Sequence, residues 1–231
     1  MGPKRIITID GPAGAGKSTV GRRLAQSLGF LYLDSGALYR AVAFKARLSG
    51  LDLGDSEALD EFLAGFQPTV SSDSRGFHLR IDGVEVTDDL RSAMVSRDAS
   101  RVEVLPGVRR WVKEHLRRLG RDGGVVAEGR DQGTMVFPEA RWKFYLDATL
   151  RTRAARRRQE WQPDHDPPSL ETIMADLASR DRQDETRREA PLRVPQDAIV
   201  IDTTDLNVEE VIAQCLARIS GQLDHKPSKP V

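Results

Sequence analysis

Gly11-Pro12-Ala13-Gly14-Ala15-Gly16-Lys17-Ser18 fits the phosphate-loop pattern G-x-x-x-x-G-K-[ST] and runs on into Thr19. Glycines allow backbone N–H groups to turn inward around phosphate oxygens, and the start of a helix behind them adds partial positive charge. Lys17 has the reach for β- and γ-phosphates, and the Ser18 hydroxyl is placed to hold Mg²⁺. Two acids sit where such a loop needs a metal partner. Glu128 ends the apolar run Val125-Val126-Ala127, and Asp34 ends Leu31-Tyr32-Leu33; Glu128 is the first choice and Asp34 the second. Arg40 follows Asp34 by one helical turn and more, within range of an acceptor phosphate. Arg180, Asp184 and Arg187 recur at i, i+4 and i+7, with Asp176 on the same stripe and Arg182 and Arg188 beside it. Together with a phosphate loop, that stripe reads as a mobile lid bringing arginines over a transferring phosphoryl group.

Five short runs have the apolar character of buried parallel strands: Arg5–Ile9, Phe30–Leu33, Gly124–Ala127, Trp142–Leu146 and Ala198–Ile201. Helical segments separate them, so the expected fold is α/β, a P-loop core with a doubly wound five-stranded parallel sheet. Ligands of such sheets lie at the carboxyl ends of the strands, and those ends here carry Asp10, Asp34, Glu128, Asp147 and Asp202. The core is expected over 1–65 and 92–222. The gap between the second and third strands contains Ile81-Asp82-Gly83-Val84, a two-residue hairpin signal, and predicts a small antiparallel β insertion over 66–91. Helices resume over Val95–Val104 and from Pro106 to Leu119. A short helical lid is expected over about 151–188. It comprises the basic helix Arg151–Arg158, a Pro/Asp-rich loop over Gln159–Pro168 and a helix from the N-cap Ser169 to about Glu189. Residues 223–231 read as a frayed tail.

Composition excludes several classes. The 231 residues carry 35 basic and 35 acidic side chains, so no net field draws the chain to nucleic acid or to a membrane. Arginine dominates the cations, 28 against seven lysines, which suits bidentate phosphate contacts. One cysteine, Cys215, rules out an intrachain disulfide; its neighbours at helical spacing make it core filler. His165, between two aspartates, fits no standard metal-ligand spacing. No stretch approaches a membrane span or a signal core, and the expectation is a soluble, cytoplasmic monomer.

Taken in order, Ile9 to Lys17, Leu33-Asp34-Ser35-Gly36-Ala37-Leu38-Tyr39-Arg40, Glu128-Gly129-Arg130-Asp131-Gln132-Gly133-Thr134, Arg180-Asp181-Arg182-Gln183-Asp184 with Arg187, and Asp202-Thr203-Thr204 resemble the bacterial cytidylate kinases, from about Ile6 to Ile219. The resemblance implies ATP as phosphoryl donor, Mg²⁺ as cofactor and CMP or dCMP as acceptor, with the 66–91 insertion as a small domain on the acceptor-nucleotide side. It implies Arg40 and Arg130 at the acceptor phosphate, and Ser100, Arg109 and Asp131 at the cytosine. Arg180 and Asp184 fall at the acceptor ribose, Arg187 near the phosphates, Ser35 at a further acceptor-site position, and lid arginines from Arg153–Arg158, Arg157 among them, on ATP. Two departures stand out: Glu128 where the family can carry Asp, and Gln132 where an apolar residue is common.

The base assignment has its own chemical sense. Cytosine offers an amino donor beside two acceptors, so a carboxylate at Asp131 matches the first while Arg109 and Ser100 match the others. Uracil would leave Asp131 facing a carbonyl oxygen, at a cost of several kcal/mol or a discrimination of order 10³. The rival readings are another small-molecule kinase of this fold (UMP, adenylate or shikimate kinase) and a P-loop nucleic-acid-binding module. Zero net charge argues against the module, and intact Lys17 and Ser18 argue against an inactive scaffold.

Overall fold

The computed structural model describes residues 5–73, 76–160 and 168–223. Its core is a parallel sheet of β1 (Ile6–Asp10), β2 (Leu31–Asp34), β6 (Val125–Gly129), β7 (Trp142–Asp147) and β8 (Ile199–Asp202), in the order β2-β6-β1-β7-β8. All five expected strands are present. Each reaches one or two residues further toward its carboxyl end than the apolar runs predicted. The ladder does not stop at the first polar residue: Asp10 pairs with Gly129, Asp34 with Glu128, and Asp147 with Asp202. The central strand β1 is buried throughout, including Thr8 and Asp10. Burying each of its isoleucines contributes about 1.5–3 kcal/mol.

Helices cover both faces and start on local signals. In α1 (Lys17–Leu28) the cap is Gly16 in the left-handed region, and the helix ends on Gly29, whose N–H returns to Ala25 and Gln26. The Asp34 side chain caps α2 (Ser35–Leu48) through the N–H of Ala37. Next come α3 (Ser56–Gly65), α4 (Ala93–Val102) and α5 (Pro106–Leu119), the last opening on a proline at its first position. Thr149 caps α6 (Leu150–Gln159) and Ser169 caps α7 (Leu170–Thr186). α7 ends three residues before the expected Glu189 because Arg187 is extended, with ψ 142°, and the Leu192 N–H turns back to the Asp184 carbonyl. The final helix, α8 (Val208–Leu223), includes Leu223, the first residue of the expected tail; the remainder of that tail, 224–231, lies outside the described residues, as does His165.

Between α3 and α4 lies the antiparallel sheet of β3 (Thr69–Asp73), β4 (Gly76–Ile81) and β5 (Val84–Glu85). Its turn is Asp82-Gly83, both with positive φ, as the Asp-Gly signal predicts. The expected small sheet is present and separate from the parallel one, and two features tie it to the rest of the chain. Leu79, Ile81, Val86 and Leu90 belong to the same buried cluster as Ala41, Val42 and Leu59, so the insertion shares the core. No residue of its strands lines the main cleft; the Ser72 hydroxyl instead accepts the Tyr32 N–H, on the edge strand β2. The lid helices have a cluster of their own, Ala154, Ile173 and Leu177.

Candidate active site

A cleft of about 840 Å³ opens at the carboxyl ends of the strands. On one side the loop after β1 wraps its floor. Gly14 and Gly16 take φ of 79° and 89°, conformations that keep N–H groups pointed inward. Residues Ala13 to Thr19 line the space, whereas Gly11 and Pro12, expected there, do not. Gly11 serves packing: a Cβ at its position would lie 2.0 Å from the Leu146 carbonyl oxygen. The Lys17 ammonium donates to the Pro12 carbonyl at 2.7 Å. Burial first, and Arg130 second, push Lys17 down to about 7, against the pull of Glu128, Asp10 and Asp184.

Asp34 and Glu128 are register neighbours on β2 and β6. Burial, then the Asp34 charge, raises the Glu128 carboxyl, while Lys17 and the hydroxyls of Ser18 and Tyr32 hold it down. No group of three or more His, Cys, Asp or Glu residues among the described residues is arranged to hold a metal. One hydroxyl, one buried carboxylate and a second carboxylate beside it suit a hard divalent cation that keeps waters and takes its remaining ligands from phosphates.

The opposite wall is built of ion pairs. Arg40 Nη2 lies 3.0 Å from Asp34 Oδ2, Arg109 Nη2 2.9 Å from Asp131 Oδ2, and Arg130 Nε 2.7 Å from Asp184 Oδ2. Arg187 approaches the other Asp184 oxygen at 3.5 Å, and its Nε donates to the Ala190 carbonyl. Burial alone would lower the Arg130 guanidinium, but Asp184 more than offsets it and the net shift is upward. The expected acceptor residues Ser35, Ser100 and Arg180 line the same space, as do Arg157 and Ser18. Arg157 lies on α6, paired to Glu160 at 3.0 Å.

Several contributors escaped the sequence reading. Asp10 is fully buried and accepts from the N–H groups of Gln132 and Gly133, at 2.8 and 2.7 Å; it thus fastens the turn carrying Arg130 and Asp131 to the strand carrying the phosphate loop. Burial raises its carboxyl to about 6, with those two N–H bonds opposing. Gln132 opens a π-turn (Gln132–Val136) and donates from Nε2 to Asp131 Oδ1 at 3.3 Å. Arg153, from the lid, donates to the Ala13 carbonyl and pairs with Asp181 at 2.8 Å, so it braces the phosphate loop against α7. Tyr39 faces Arg109, whose guanidinium carbon lies 5.8 Å from the ring centre. A polar residue at the end of an apolar strand was the one available signal for Asp10.

A phosphate loop between the first strand and first helix, with acids on the two neighbouring strand ends and an arginine-lined cleft above, defines a P-loop nucleotide-binding protein of the doubly wound class. A solved chain from Eubacterium ventriosum has the same fold, with TM-score 0.51 at 12% identity over 94% of this chain and 99% of that one. The cytidylate kinase family model matches residues 7–221. A cytidylate kinase of Oleidesulfovibrio alaskensis is 40% identical over 93% of this chain and 97% of its own, and one of Pelotomaculum thermopropionicum 44% identical over 93% and 96%. A bifunctional pantoate ligase/cytidylate kinase of Synechococcus is 45% identical over 90% of this chain and 39% of that protein. The chain belongs to the cytidylate kinase family.

Proposed function

We propose that this protein transfers the γ-phosphoryl group of ATP to the phosphate of CMP and dCMP, giving CDP or dCDP and ADP. The observation that carries the reading is the buried Arg109–Asp131 pair, whose aspartate follows Glu128 by three residues and which shares one cleft with the phosphate loop. Donor phosphates lie on the amides of the loop and Lys17. The acceptor phosphate lies against Arg40 and Arg130, and the cytosine against Ser100, Arg109 and Asp131. Arg180 and Asp184 hold the ribose, with Ser35 on the same acceptor side, and Arg187 and Arg157 close over the phosphates.

An acceptor phosphate oxygen attacks the γ-phosphorus as the bond to the ADP oxygen breaks. That oxygen is already ionised near neutral pH, so no general base is required. The side chains contribute position and positive charge, and lid closure excludes water. Ser18 and Glu128, the latter partly through water, would hold Mg²⁺, which would supply positive charge to the donor phosphates. On this reading the enzyme acts as a monomer in the cytoplasm, on small-molecule nucleotides. No helix of the described residues is long and apolar enough to cross a membrane.

A coupled ADP-release assay over CMP, dCMP, UMP, AMP, GMP and shikimate tests the reading. The expected result is highest kcat/KM for CMP and dCMP, with UMP roughly 10²–10³-fold lower. A preference for any other acceptor overturns it.

A further inference from the structure

We propose that Tyr32 is the positioning residue for Glu128, and that the inserted β3–β5 sheet braces Tyr32 from behind. The inference rests on Glu128 as the Mg²⁺-side acid of the reading above. Tyr32 is 4% exposed, and its hydroxyl donates to Glu128 Oε1 at 2.6 Å, a short bond of the kind formed to a charged acceptor. That bond ties down one carboxylate oxygen, and the Ser18 hydroxyl, on the cleft side, is the group's other hydrogen-bond partner.

Glutamate at a strand end has one more rotatable bond than aspartate, so a second anchor is needed to hold its carboxylate at one place. Asp34, its register neighbour, repels it and supplies none. Tyr32 is in turn fixed on three sides. Its ring meets Phe77 of β4 edge-on, at 5.7 Å and 85°. Its backbone N–H points to Ser72 of β3. Its other ring edge lies against Gly21 of α1, where a Cβ would come within 3.0 Å of the ring, so glycine admits it. The inserted sheet therefore buttresses the donor side of the cleft, through one aromatic contact and one phenol. It is a mechanical link from an element that never touches the cleft to an acid that does.

The test measures Mn²⁺ binding to the protein–ADP complex by electron paramagnetic resonance, and ADP binding in chelator by calorimetry, on the full chain. Tyr32→Phe keeps the ring, and its thermal melt verifies folding. It is expected to weaken Mn²⁺ binding about tenfold while metal-free ADP affinity stays within about twofold. Glu128→Gln should weaken Mn²⁺ binding at least as much, and adding Tyr32→Phe to it should change nothing further. Phe77→Leu should shift Mn²⁺ binding in the same direction by a smaller factor; no shift overturns the bracing by the insertion. Equal loss of ADP binding with and without metal, additive effects in the double variant, or no effect of Tyr32→Phe each overturn the positioning role. If Glu128→Gln itself leaves Mn²⁺ binding unchanged, the metal assignment of Glu128 falls instead, and the inference with it.

Discussion

On the function proposed above the cleft has a donor half and an acceptor half, and the two are built in opposite ways. The donor half is backbone: a loop whose glycines hold φ of 79° and 89°, one lysine turned onto Pro12, and a bracing arginine behind. The acceptor half is side chains: three arginines, from α2, α5 and the turn after β6, each tied to a carboxylate of another residue, with Arg187 sharing Asp184. Backbone amides recognise phosphate whatever base it carries, so donor recognition is a matter of shape. Paired side chains discriminate, because an incoming group must offer each partner at least what it gives up. Substitution on the donor side should therefore cost rate alike for every acceptor. Substitution on the acceptor side should alter the choice among acceptors.

The largest effect expected is that of Lys17→Ala. It removes the one lysine of the donor half, with a loss of about 10²–10⁴-fold in kcat, equal for CMP and UMP, since the lost charge acts on the transferring phosphoryl. Turnover within tenfold of the parent, or a loss falling on only one acceptor, would break the contrast between the halves.

This division also explains what the sequence could reveal. The donor half was legible because local pattern makes it: eight consecutive residues between a strand and a helix. The Asp82-Gly83 turn and the Ser169 cap were legible for the same reason. The acceptor half yielded its residues to family resemblance, but not its pairs, since Arg130–Asp184 and Arg109–Asp131 join elements that only the tertiary fold brings together. Least legible were the ties that join residues far apart in the chain. Asp10 meets Gln132 across 122 positions, Tyr32 meets Glu128 across 96, and Arg153 meets Ala13 across 140. In sequence, Tyr32 reads as strand filler, and Arg153 reads as one of the lid arginines on ATP, whereas the fold turns it away from the cleft onto Ala13 and Asp181. The early end of α7 was hidden too, because the extended Arg187 and the return of the Leu192 N–H to the Asp184 carbonyl leave no mark in the local pattern.

Asp10 sharpens the comparison as the buried group on which the halves meet. Its carboxyl is raised to about 6 in the folded protein, from 3.8 when exposed. The folded state therefore binds the proton more tightly than the unfolded state. That contribution to stability is fully present below pH 3.8 and is lost as pH rises through 6. It amounts to on the order of 3 kcal/mol. Urea unfolding of the parent and of Asp10→Asn between pH 4 and 7 measures it: the variant should lack this component of the pH dependence. Parallel profiles would show that Asp10 does not carry the coupling.

Asp131→Asn has the smallest expected effect on rate and the most to say about the acceptor half. Arg109 only donates, so the asparagine carbonyl stays on Arg109, and its NH₂ takes the place of Oδ1. Gln132 Nε2 now donates to that oxygen, while Gln132 Oε1 is buried without a partner. A flip of the Gln132 amide would present Oε1 to the new NH₂, so the variant can satisfy both groups without a cavity. The wall would then offer a donor where it offered an acceptor, which suits the uracil carbonyl and repels the cytosine amino group. Losing a charge-assisted bond costs about 1.5–3 kcal/mol, or roughly ten- to two-hundredfold in kcat/KM for CMP, with UMP unchanged or improved. An equal fall for both acceptors would move Asp131 to the phosphates. An unchanged CMP/UMP ratio in a folded variant would remove Asp131 from base reading, and with it the chemical ground for calling the acceptor half selective.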